Sequence, residues 1–62
     1  ASDTLALRDA LAEVAADGEN AASAATSLVN AANGDGTVSA ATTNLTNNLG
    51  EVVAAWSAAL AG

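Results

Sequence analysis

The sequence predicts an all-α protein, an antiparallel two-helix hairpin packed through heptad stripes in the manner of a coiled coil. Three observations predict it. Alanine and leucine, the best helix formers, make up most of the apolar content. β-Branched and aromatic residues are few and nowhere alternate with polar ones over the length of a strand. Apolar positions recur at alternating steps of four and three, interrupted once by the turn-forming run Asn33-Gly34-Asp35-Gly36.

The first helix is predicted over residues 3–33. Ser2, Asp3 and Thr4 are all capable N-caps, and an acidic residue is favourable at the positive end of the helix dipole. From there Leu7, Leu11, Val14, Gly18, Ala21, Ala25, Leu28 and Ala32 form a heptad stripe. The turn takes residues 34–37, with glycine ending the first helix and Thr37 or Ser39 capping the next. A second helix over residues 38–61 carries its own stripe of Val38, Thr42, Leu45, Leu49, Val52, Trp56 and Ala59. Folding about the turn sets Ala25 opposite Leu45, Ala21 near Leu49 and Gly18 beside Val52. Trp56 then falls between Val14 and Gly18, where a missing side chain leaves room for an indole. The alternative is a three-helix bundle broken at Gly18, since Asp17-Gly18 is a breaker signal and an interior glycine costs about 1 kcal/mol relative to alanine. Gly50 raises the same question in the second helix, as a tolerated residue or a site of close backbone approach.

Sixty-two residues form one small domain, and such a chain buries only about 60% of the surface its unfolded form exposes. No Cys or His is present, so neither a disulfide nor a structural zinc site can supplement the core. The large apolar side chains are seven Leu, five Val and Trp56, while each of the nineteen alanines adds only about 0.8 kcal/mol per buried methyl. A monomer of this kind is expected to need a partner.

The net charge is −6, with Arg8 the only basic residue, which argues against nucleic acid and anionic membrane surfaces. No apolar run approaches the roughly 18 residues that read as a spanning helix. Contact with a membrane is expected to be peripheral or made by an assembly. The chain starts at Ala1 without a Met, which fits removal of an initiator Met or cleavage of a secretory leader. A secreted, cell-surface or virion setting is the expectation.

Asn33-Gly34-Asp35-Gly36-Thr37-Val38 resembles the centre of an EF-hand or dockerin calcium loop, with Asn33, Asp35 and Gly36 at the third, fifth and sixth positions. The first and twelfth positions would be Ala31 and Thr42, so the initial carboxylate and the bidentate Glu are missing. The expected role is a helix-to-helix turn, with a weak calcium or ligand site as the alternative. Asp9, Glu13 and Asp17 recur every four residues, with Glu19 close behind, and read as a solvated outer face; the functional alternative is a weak cation patch. No catalytic, metal or cofactor site is expected, because no nucleophile has a base and no carboxylate has an apolar pocket. Asn44-Leu45-Thr46 matches a glycosylation sequon, relevant only in a eukaryotic secretory setting. The Ala- and Thr-containing helices resemble type I antifreeze proteins, but the eleven-residue threonine spacing occurs only from Thr26 to Thr37.

The final ten residues of the second helix present almost no polar face. The open end of the hairpin, with Leu5, Leu7, Leu11, Val53, Trp56 and Leu60, is therefore the expected contact surface, joined by Arg8 as an intermolecular ion-pair donor. Arg8 has no carboxylate three or four residues away in its own helix. The expectation is a structural or interaction protein that associates with itself or another protein. Size, acidity and Ala-rich helices are also similar to the small helical pore proteins of mycolic-acid bacteria, a likeness of composition that implies a membrane-associated assembly as the alternative.

Overall fold

A computed structural model describes residues 3–61. Helix α1 spans Thr4–Ala32 and helix α2 spans Val38–Leu60, and the two pack along each other as a hairpin. The first helix runs unbroken through Gly18, so the three-helix alternative is excluded. One glycine costs less than the hydrogen bonds and helix contacts that a break there would give up.

Each helix begins and ends for local reasons. Asp3 is the N-cap of α1, with extended backbone, and its Oδ1 accepts the Ala6 N–H at 2.7 Å. Ser2, another cap candidate, lies outside the described residues. At the other end the Asp35 N–H donates to the Asn30 carbonyl at 2.9 Å and the Gly34 N–H to the Ala31 carbonyl at 3.0 Å. That pair of bonds is a Schellman closure, which needs a left-handed residue after the C-cap, and Gly34 supplies it with φ +98°. Thr37 is the N-cap of α2 through its backbone, its carbonyl accepting the Ala41 N–H at 3.0 Å, but its hydroxyl makes no cap bond. Along the helices Thr26, Thr43 and Thr46 donate their hydroxyls to carbonyls four residues back, so these groups are satisfied locally.

The contact stripe differs from the predicted one by a rotation of both helices in the same sense. Its seven-spaced members Val14, Ala21 and Leu28 on α1, and Leu45, Val52 and Ala59 on α2, are covered as expected. Between them stand Ala10, Asp17, Ala24 and Ala31, and on α2 Ala41, Asn48 and Ala55, each three residues on rather than four. Leu11, Leu49 and Trp56, expected inside, are 40%, 50% and 48% exposed. Thr42 and Ala32 are likewise exposed, while Ala25 and Gly18 are partly covered beside the stripe. The physical reason is distance. Alanines at the contact let the axes approach closely, and subtracting a Cα cylinder of about 4.6 Å from the 13 Å breadth leaves roughly 8 Å between them. Further leucines and an indole between the helices, added to Leu28 and Leu45, would hold them farther apart, so Leu11, Leu49 and Trp56 flank the contact instead.

The indole does not fill the space at Gly18, because no atom lies within 4 Å of where a Cβ would stand there. The same holds at Gly50, which therefore marks no close backbone approach. The only fully covered hydrophobic residues among those described are Ala21, Ala24, Ala31 and Ala59. Two helices make a single layer of 47 × 13 × 8 Å. Its accessible surface of 4027 Å² exceeds the roughly 3600 Å² expected of a compact monomer of 5.9 kDa. A layer has no interior to hold its larger side chains.

Candidate interaction face

The register of the contact stripe sorts the residues that flank it onto one of two sides. An α-helix advances 3.6 residues per turn, so positions four residues beyond the seven-spaced members lie on one flank and those one residue before them on the other. Reversing one helix and turning its stripe to face its neighbour leaves corresponding flanks on the same side of the hairpin. Leu11, Gly18 and Ala25 of α1 thus share a side with Thr42, Leu49 and Trp56 of α2. Glu13 and Asn20 share the opposite side with Asn44 and Glu51. A shallow cleft lined jointly by Glu13, Asp17, Glu51, Ala54 and Ala55 carries the acidic flanks of both helices, as this geometry requires.

The first side is apolar. Next to Leu11 and Trp56 stand Val53 and Leu60, 64% and 67% exposed, with Leu7 at 39% at the edge of the contact. Val29 continues the same side toward the turn. Of the seven residues expected to form the contact surface, Leu7, Arg8, Leu11, Val53, Trp56 and Leu60 gather here. Leu5 does not, since it lies on the back of α1, away from α2, and is 63% exposed. Leu49 belongs to the face and was missed; its membership follows once Asn48, and not Leu49, is placed in the contact.

Arg8 differs from the sequence reading. Its Nη2 lies 3.2 Å from Asp9 Oδ1, an ion pair between sequence neighbours with both side chains more than two-thirds exposed. The carboxylate comes from the adjacent residue, not from a position three or four residues away. Exposed pairs of this kind contribute little.

The opposite side is acidic. Asp17, expected on a solvated outer face with Asp9 and Glu13, is partly covered at the contact stripe, because heptad spacing brings the seventeenth residue toward α2. Glu51 comes to the same cleft from the other helix. Among the described residues, no three acidic side chains come together in a way that could hold a metal ion. Asn48, the other polar member of the stripe, donates its amide to the Asn44 carbonyl at 2.8 Å and so needs no partner from α1. The turn is closed by backbone bonds from Gly34 and Asp35, so its glycine and asparagine serve helix termination.

No helix of the described residues is long and apolar enough to cross a membrane. Compared with known proteins, the chain matches no family model, no curated protein and no solved structure.

Proposed function

We propose that this chain is a structural or interaction protein, a non-catalytic helical hairpin that associates through its apolar side. The observation that carries this reading is the one-sidedness of the layer. Among the described residues only alanines are fully covered, while Leu11, Leu49, Val53, Trp56 and Leu60 keep 40% or more of their surface exposed on a single side. An apolar surface of that extent is normally covered in the working assembly. A non-catalytic reading draws support from the acidic cleft, which is open and whose lining residues include no nucleophile paired with a base.

Sedimentation velocity or light scattering against concentration tests the proposal. Mass rising above 5.9 kDa at micromolar to millimolar chain is the expected result. A constant monomer mass sinks it. The rival reading, a membrane-associated assembly, draws on the same exposed Trp56, and predicts a blue shift of its fluorescence on adding detergent or zwitterionic vesicles to a chain that stays monomeric in buffer.

A further inference from the structure

Resting on that reading of the apolar side, we infer that its occupant is a second copy of this chain, packed face to face and end for end as a two-fold antiparallel four-helix dimer. Three features of the hairpin select this partner and this orientation.

The first is area. A layer 47 Å long and 13 Å wide offers a footprint of about 600 Å² per copy, so two copies bury about 1200 Å², the lower bound of stable interfaces. The second is the distribution of size along the face. Leu11, Val53, Trp56 and Leu60 lie in the half toward the open end, whereas the half toward the turn holds Ala22, Ala25 and Thr42 with Val29 as its larger apolar member. Placing two copies end for end sets the bulky half of each on the small half of the other, which fills space evenly. Placing them in the same direction stacks bulk on bulk and leaves a gap at the turn.

The third is charge. Six of the seven carboxylates lie on the acidic side, the back, or the open end of the hairpin, and the seventh, Asp35, sits in the turn. The apolar side bears only Arg8, near the open end. An end-for-end pair brings the end of each copy that carries Arg8 to the end of the other that carries Asp35, with Arg8 about 8 Å inboard of the partner's turn, twice by symmetry, and keeps the acidic clefts on outward surfaces. A same-direction pair brings Arg8 level with Arg8. The guanidinium has five N–H donors, and its contact with Asp9 uses only Nε and Nη2. Charges at the rim set orientation more than affinity.

The experiment combines mass with distance on the full chain. A nitroxide on Asn33→Cys, at the turn, reports the separation of the two turns. End-for-end packing places the labels about 40 Å or more apart, near the length of the hairpin, whereas same-direction packing places them within about 25 Å. Arg8→Asp and Asp35→Arg are each expected to weaken the dimer up to about fivefold, by turning two exposed end-to-end attractions into repulsions, and the double variant is expected to recover it. A dimer or larger assembly with short label distances, or one that Arg8→Asp leaves unchanged, overturns this arrangement while self-association stands. A chain that remains monomeric at millimolar concentration, with or without a Trp56 shift on vesicles, overturns both.

Discussion

Ala55 is part of the contact between the helices, whereas Trp56, the next residue, keeps 48% of its surface exposed. The largest side chain in the protein is therefore only half-covered and lies beside the contact. Trp56→Ala is expected to lower the stability of the dilute, monomeric chain by about 1–2 kcal/mol, against the 3–5 typical of a buried aromatic. Urea unfolding followed by circular dichroism measures it. At concentrations where the chain self-associates, the same variant is expected to dissociate the assembly.

Small residues at the contact give the reverse expectation. Ala24 is 4% exposed, and Ala24→Leu would push the helices apart against close-packed neighbours at a cost of about 1–3 kcal/mol. Thermal unfolding of the dilute chain checks the sign, and an unchanged or raised midpoint contradicts the contact stripe described above.

The two kinds of glycine are expected to respond oppositely to alanine. Gly50 lies in mid-helix with nothing within 4 Å of the added Cβ, so Gly50→Ala should stabilise by about 1 kcal/mol. Gly34 holds φ +98° to close α1, where a Cβ is strained, so Gly34→Ala should destabilise by about 1–2 kcal/mol. In a chain of this size each kcal/mol moves the melting temperature by roughly 4–8 °C, well within calorimetric precision.

The helix starts differ in the same way. Asp3→Ala removes the carboxylate that accepts the Ala6 N–H and should cost about 1 kcal/mol. Thr37→Ala removes a hydroxyl that caps nothing and should cost distinctly less. Comparing the two variants by thermal melts under identical conditions tests the assignment.

Glu13, Asp17 and Glu51 line one cleft with no cation among them. Glu51→Gln should stabilise the hairpin by a few tenths of a kcal/mol at low ionic strength, by removing like-charge repulsion between the helices. The gain should shrink as salt approaches 1 M, where the screening length falls to about 3 Å.

Much of this was legible in the residues. Asp3 as a cap, Gly34 as a terminator and the helical content follow from local chemistry that needs no partner. The surplus of apolar residues near Val53 and Leu60 was visible as well, since a helix without a polar face must be covered. The placement of Trp56, Leu49 and Asp17 was not. Large apolar side chains invite assignment to a core, and that inference presumes an interior which a single layer of two helices does not possess.

The sequence by itself determined two helices, the turn between them and the seven-residue repeat from Val14 through Leu28 and from Leu45 through Ala59. Only the tertiary structure decided which neighbour completes the repeat. Ala10 and Leu11, Ala24 and Ala25, and Ala55 and Trp56 are pairs of apolar residues about 100° apart on one helix, so periodicity alone cannot choose between them. The choice is made when two helices meet, because small side chains allow the close approach at which both backbones gain contact along the full length of α2. Leu11, Leu49 and Trp56 are thereby turned to the outside.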